Sequence, residues 1–324
     1  VQEYVIGVDL GGTKVLTGLA DYEGEILAEV KIPVGENKGK VPVVAKIEKT
    51  VHEVVAKAGV DIEQVKGIGL GSPGPLSVEE GIIHHTPNLE LDEVAIVEEL
   101  SDLEPPVFLE NDANAAALGE KYFGAGENAE DLIYVTVSTG IGGGIVVDGE
   151  VYHGISDGAG EVGHMTLLPN SKVQCGCGNY GCWEAVASGT AMGRLGREAV
   201  EAGRETLLAD LVAKPEEVDG AVVAKAAQQG DQVAEEIIDQ IAEYLGVGFA
   251  NLINAFNPGK IVVGGGVSNS WRLLNDKVEA TIEERALDSL VEQVEVVTSE
   301  LGDRVGLVGA VAVALQQLNM LESN

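Results

Sequence analysis

Two stretches of this chain are built alike: a β-branched run, a polar residue, a glycine turn and a second apolar run. The first covers residues 4–19, where YVIGVD enters a Gly-Gly turn and continues into VLTGLA; the second spans 132–152 as LIYVTVSTGIGGGIVVDGEVY. Each reads as strand, turn, strand. Recurrence of one such unit far along the chain predicts duplicated halves facing one cleft, although β-turn chemistry alone also produces the pattern.

The segments around these units alternate strand and helix, which predicts an α/β protein. EILAEVKIPV follows Gly24 as a third strand, so the chain starts with a β-meander. Apolar spacing predicts a helix over 41–58 and VKGIGLG predicts a strand over 65–71. The Gly/Pro-rich GSPGPL (71–76) leads to an expected loop around His84 to Leu91, a short helix and a strand at 106–110. Asn111 and Asp112 then cap the Ala-rich ANAAALGEKYFG, which Gly124 and Gly126 end. Residues 184–256 read as mostly helical with a break at Pro215, KIVVGGGVS (260–268) as a strand running into glycines, and 304–321 as an apolar Gly/Ala-rich helix.

With 324 residues the chain is long enough for two domains with substantial cores. Its 53 Asp and Glu against 20 Lys and Arg give a net charge of −33, yet 45% of residues are hydrophobic, which argues against disorder. An acid excess of that size repels phosphate backbones, and 4 Phe, 2 Trp and 7 Tyr offer few stacking platforms, so nucleic acid is excluded as a partner. Self-repulsion among so many carboxylates needs screening by cations, which predicts a halophilic protein adapted to high salt. The opening VQEYVIGVD has no basic n-region and no cleavage-site pattern, and no long apolar stretch follows, so the expected location is cytoplasmic, away from any membrane. All three cysteines lie between 175 and 182, too clustered for a disulfide framework, and read as metal ligands.

Those thiols belong to GHMTLLPNSKVQCGCGNYGCWE, where His164, Cys175, Cys177 and Cys182 make a closed set suited to structural zinc. The alternative is small buried thiols beside a satisfied histidine. DLGGTK (Asp9 to Lys14) places a carboxylate at a strand end before glycines, a hydroxyl and an amine. Its backbone N–H groups can approach phosphate oxygens, and Asp9 can hold Mg²⁺ through water, though a plain hairpin turn fits equally well. STGIGGG (138–144) and GGGV (264–267) add two more glycine turns at strand ends, and three together favour one bound nucleotide. In ENDAN, Asp112 is either a helix cap or the base that takes a proton from a substrate hydroxyl attacking a γ-phosphate, with Asn111 bonding a neighbouring hydroxyl. Glu161 and Glu184 flank the cysteine loop, as polyol-binding carboxylates or as solvated surface. His84 and His85 lack nearby metal partners, and His52 and His153 carry no distinctive signal.

CGCGNYGCWE, DLGGTK, ENDAN and EVGH together resemble the ROK family of repressors, open reading frames and kinases, its glucokinases above all, over nearly the whole chain. The resemblance implies an actin-like ATPase (duplicated ribonuclease H-like) fold with two α/β domains around a central cleft. The expected division is 1–118 plus 305–324 for the small domain and 119–304 for the large one, with a zinc loop at 164–182. It implies ATP-dependent phosphorylation of glucose to glucose 6-phosphate. Asp112 would be the base, and Asn111, Glu161, His164 and Glu184 the sugar ligands, with His164 serving zinc as well. Gly74 and Asn88 resemble further sugar-loop positions. Asp9, Gly11, Gly12, Thr13 and Lys14, with Ser138, Thr139, Gly140, Gly142 and Gly143, would surround the phosphates and Mg²⁺; Gly265 and Gly266 would border the adenosine. Relatives act on mannose, fructose, allose, N-acetylglucosamine or N-acetylmannosamine, and polyphosphate is an alternative donor. The family also holds sugar-sensing repressors with a helix-turn-helix domain; DLGGTK starting at residue 9 and the acidic charge argue against that class here. A homodimer or homotetramer is the implied assembly.

Overall fold

A computed structural model describes residues 2–321. The expected meander is β1 (Tyr4–Leu10), β2 (Lys14–Ala20) and β3 (Ile26–Pro33), followed by α1 (Lys40–Ala58) and β4 (Val65–Ser72). Gly59 ends α1 in the left-handed conformation, at φ 72°, and its N–H closes on the carbonyls of Val55 and Ala56.

The stretch expected to be a loop near His84 is instead a small sheet of β5 (Leu76–Ser77), β6 (Ile82–Thr86) and β7 (Leu91–Val94). Ile83 and Thr86 turn inward while His84 and His85 face acidic residues across the strand pair, at 3.1 Å from Glu93 and 3.3 Å from Asp92. The histidines hid a strand because two consecutive polar residues break the apolar and polar alternation by which a half-buried strand is recognised.

After α2 (Ile96–Glu99), β8 (Val107–Asn111) runs directly into α3 (Asp112–Phe123). The second strand-turn-strand unit forms β9 (Leu132–Val137), β10 (Ile141–Val147) and β11 (Glu150–Val151). Helices then dominate: α4 (Trp183–Ala187), α5 (Gly189–Glu201), α6 (Leu208–Leu211), α7 (Gly220–Gln228) and α8 (Gln232–Phe256). The chain closes with β12 (Lys260–Gly264), α9 (Trp271–Arg285), α10 (Asp288–Val291), β13 (Glu295–Thr298) and α11 (Val305–Gln317).

The two large sheets repeat one order, β3-β2-β1-β4-β8 and β11-β10-β9-β12-β13. In the first, β2 and β3 extend β1 by antiparallel pairing while β4 and β8 join in parallel on its other side. In the second, β11 pairs antiparallel with β10, and β12 pairs in parallel with β13. This shared order is the duplication the sequence pattern predicted, in an actin-like ATPase fold.

Two compact units result: Val1–Tyr134 with Gly144–Gly160 and Ser299–Asn324, and Val135–Gly143 with Glu161–Thr298. In the first, α11 lies directly on the sheet because glycines let it. A Cβ on Gly69 would overlap the carbonyl oxygen of Ala310, and one on Gly309 would overlap that of Ala115 in α3. Ile6, Leu10, Ile47, Ile68 and Leu70 fill the core on the other face of this sheet. In the second unit, Trp183, Phe249 and Trp271 stack edge to face, with centroids 5.5 and 6.3 Å apart, and Gly248 on α8 leaves the space that the Trp183 indole occupies.

Candidate functional site

In the first unit the DLGGTK turn closes through Gly11 N–H donating to the Lys14 carbonyl at 3.0 Å. Lys14 Nζ sits 3.1 Å from Asp9 Oδ2, so charge within the turn is already partly balanced. Gly306, in the first turn of α11, packs so closely on Asp9 that a Cβ there would lie 2.9 Å from the carboxylate carbon. A Cβ on Gly12 would come within 3.1 Å of Asn88 Cβ, which places the TPNL segment against this turn.

Strand β8 delivers Asn111 and Asp112 to the start of α3. Asn111 is the cap: its Oδ1 accepts from Ala113 N at 2.9 Å and Asn114 N at 3.3 Å. Asp112 is the first helical residue, with Oδ1 2.8 Å from Ala113 N. The helix cap is thus Asn111, and the Asp112 carboxylate follows it inside the first turn. Gly74 lies beside the same turn; a Cβ there would stand 3.4 Å from Asn111 Nδ2. Beneath it, Glu110 is buried, only 4% exposed, with Oε2 2.7 Å from His153 Nε2. Sequence patterning gave no sign of this pair, whose members are 43 positions apart.

In the second unit His164, Cys175, Cys177 and Cys182 present ligand atoms within 4.8 Å of one another. A tetrahedral zinc with Zn–S of about 2.3 Å and Zn–N of about 2.05 Å sets ligand pairs roughly 3.8 Å (S and S) and roughly 3.5 Å (S and N) apart. Cys177 Sγ to Cys182 Sγ is 3.7 Å and Cys175 Sγ to His164 Nδ1 is 3.5 Å, so the donor set fits that ion. The other ring nitrogen, Nε2, is 3.7 Å from Glu161 Oε2, beyond hydrogen-bond distance but near enough to place that carboxylate beside the cluster. Burial pushes the Cys175 thiol up to about 12 and also raises Cys182, whereas a hydrogen bond from the Asn179 backbone lowers exposed Cys177. A divalent cation would reverse the first two effects by ligating thiolates.

Glu184 links this cluster to the second glycine turn. Its Oε2 accepts from Ile141 N at 3.1 Å, and Oε1 is 3.5 Å from Cys175 Sγ. Any side chain at Gly140 would collide with that carboxylate. The turn itself is tight, with Ser138 N–H donating to Gly140 O at 2.8 Å and Gly189 N–H to Ser138 O at 2.7 Å.

Ser138, Thr139 and Gly266 border a cavity of about 480 Å³ within the second unit. Gly265, the residue before Gly266, has φ 83°, and a Cβ there would approach Val137 O to 2.5 Å. Thr190, Arg197, Asp219, Lys225 and Asn269 also line the cavity, and sequence reasoning missed all of them. They come from α5, α7 and the turn before α9, so only the fold groups them. Arg197 donates to Val218 O at 2.7 Å and Asp219 caps α7 through Val222 N at 2.9 Å, so both are held in place.

The structure thus groups Asp9, Lys14, Gly12 and Asn88, and separately Gly74, Asn111 and Asp112, in one unit. It groups Glu161, His164, Glu184 and the cysteines, and Ser138, Thr139 and Gly266, in the other. Among the described residues no helix is long and apolar enough to cross a membrane.

The ROK family profile matches residues 5–317. A glucokinase of Thermotoga maritima is 38% identical over 97% of this chain and 98% of its own length. A xylose repressor of Caldicellulosiruptor bescii is 33% identical over 97% of this chain and 78% of its own. The crystal structure of a ROK family glucokinase from Streptomyces griseus, in complex with glucose and AMPPNP, superposes with a TM-score of 0.81 at 34% identity, covering 97% of this chain and 99% of that one.

Proposed function

The chain belongs to the ROK family, and from that premise we infer that it is an ATP-dependent glucokinase, transferring the γ-phosphoryl group of ATP to glucose. The observation that carries this reading is the start of α3, where Asn111 takes over the helix cap and Asp112 remains as a carboxylate at the first helical position. Full-length similarity to glucokinases, including one solved with glucose and AMPPNP, supports both the acceptor and the donor.

Phosphoryl transfer needs in-line positioning and charge neutralisation rather than a covalent intermediate. Asp112 accepts the proton of the sugar hydroxyl as its oxygen attacks the γ-phosphorus. Asn111, Glu161, His164 and Glu184 orient the other hydroxyls, with Gly74 and Asn88 as neighbouring sugar-loop positions. Amides of Gly12, Thr13, Gly140, Gly142 and Gly143, with the Ser138 and Thr139 hydroxyls and Lys14, hold the phosphates, while Gly11 closes the first turn through its own N–H. The 480 Å³ cavity is the adenosine pocket in this reading, with Gly266 at its edge and Gly265 next to it in the chain. Mg²⁺ bound with ATP would neutralise phosphate charge, and Asp9 is the residue placed to hold it through water. The Cys175, Cys177, Cys182 and His164 set would hold a structural zinc, which would fix the loop that leads into α4 and Glu184. The protein acts in a salt-rich cytoplasm as a homodimer or homotetramer.

The test is coupled ADP release in molar KCl with MgATP, offering glucose, mannose, fructose, N-acetylglucosamine and N-acetylmannosamine side by side. Glucose ahead of all others, with glucose 6-phosphate as product, is the expected result. A preferred amino sugar would overturn the glucose assignment, and silence with every sugar would overturn the ATP-dependent reading in favour of another donor or a sugar sensor.

A further inference from the structure

Glu110 sits near the end of β8, immediately before the Asn111–Asp112 pair, and its carboxylate joins that turn to a distant histidine. Its Oε1 accepts from the backbone N–H of Asn111 at 2.8 Å and from Asn114 Nδ2 at 3.0 Å. Its Oε2 meets His153 Nε2 at 2.7 Å. The carboxylate is almost fully buried, and its other two donors are neutral amides, so His153 supplies the counter-charge that a buried anion requires. The segment carrying His153 is itself anchored: Ala159 N–H donates to His153 O at 3.0 Å, and Asp157 Oδ2 accepts from Val78 N at 3.1 Å, just beyond the Gly74 turn.

We propose that His153 is a positioning residue for phosphoryl transfer, clamping through Glu110 the first turn of α3 that carries Asn111 and Asp112. The proposal rests on Asp112 being the base. A base must be held in a near-attack position, and a displacement of about 1 Å costs on the order of 100-fold in rate. Glu110 reaches the turn through both a backbone and a side-chain bond, so a shift of its carboxylate moves the turn with it.

The hydrogen bond to Glu110 raises the His153 pKa above its ordinary value, against the lowering effect of burial; Asp157 and Glu150, the other charges that face it, add to the rise. A raised folded value means that the clamp's contribution is complete below about pH 6.5, the unfolded value, and is lost as pH climbs through the folded one.

The experiment uses the full chain. Histidine NMR titration, with His153 assigned by its absence in H153Q, is expected to show a value above the ordinary histidine range that falls in Glu110→Gln. Kinetically, His153→Phe is expected to lower kcat at least tenfold with little change in the KM for ATP. H153Q keeps a neutral N–H donor at the Nε2 position but no counter-charge; it is expected to recover only part of that loss, matching the wild type at the alkaline end of its kcat profile, and to lack the wild-type alkaline limb. A purely structural histidine would instead lower the unfolding midpoint and leave kcat and its pH profile of the folded enzyme unchanged, which overturns the proposal. So does an ordinary His153 titration that Glu110→Gln does not move. If Asp112→Asn retains turnover, the base assignment fails and the proposal falls with it; if Asp112→Asn is inactive while His153→Phe is fully active, the proposal alone falls.

Discussion

Replacing Asp112 with asparagine separates rate from stability at one helix terminus. The cap belongs to Asn111, whose Oδ1 accepts from Ala113 N and Asn114 N, so Asp112→Asn leaves it intact. Asparagine also keeps an Oδ1 able to accept from Ala113 N, as Asp112 does at 2.8 Å. What disappears is the negative charge, and with it the capacity to take a proton; the charge's interaction with the helix dipole is worth about 0.3–1 kcal/mol. General base catalysis contributes about 10²–10⁴ in rate, and at about 1.36 kcal/mol per tenfold the barrier should rise by about 2.7–5.5 kcal/mol. Asn111→Ala is the complementary change: it removes both cap bonds at a cost of about 1 kcal/mol in stability, a fall of a few degrees in Tm. The assay is coupled ADP release at saturating MgATP with glucose varied, alongside thermal unfolding of both variants. Asp112→Asn should unfold slightly below the wild type and lose at least 100-fold in kcat with bound glucose still detectable. A kcat within tenfold of wild type would refute the assignment of the base, and a Tm loss larger than that of Asn111→Ala would refute the separation of cap from base.

Three further outcomes follow from the geometry. Zinc should copurify at one ion per chain and its affinity should fall as pH falls, because the raised thiols of Cys175 and Cys182 must lose protons to bind it; calorimetry in buffers of different ionisation enthalpy should detect that release, and its absence would exclude thiolate ligation. Gly69→Val forces a side chain into the Ala310 carbonyl and should cost roughly 1–3 kcal/mol or more, read as a lower urea midpoint; an unchanged midpoint would contradict the close seating of α11 on the sheet. With a net charge of −33 and a screening length that shrinks to about 3 Å at 1 M salt, Tm should climb steadily from dilute buffer to molar KCl, and a flat Tm would dismiss the salt requirement.

What could be read in the sequence was local. The cysteine loop announced a metal because four ligands of the right chemistry fall within 19 residues, and their atoms do meet. The two strand-turn-strand units announced a duplicated sheet because strand period and glycine turns are fixed by neighbours in the chain, and both sheets repeat one order. ENDAN marked a helix start, since a polar residue before an Ala-rich run satisfies the first orphan amides. Sequence alone did not say which of Asn111 and Asp112 is the cap, because either side chain can cap; the structure gives that place to Asn111. Nor did it show the strand under His84 and His85, whose partners Glu93 and Asp92 lie on the adjacent strand. The grouping of Thr190, Arg197, Asp219 and Lys225 around one cavity, and the burial of Glu110 against His153, belong wholly to the tertiary structure. Periodicity reports only which way a side chain points within its own element. Which distant charge it meets there, and how far water is excluded from the pair, is set by packing between elements.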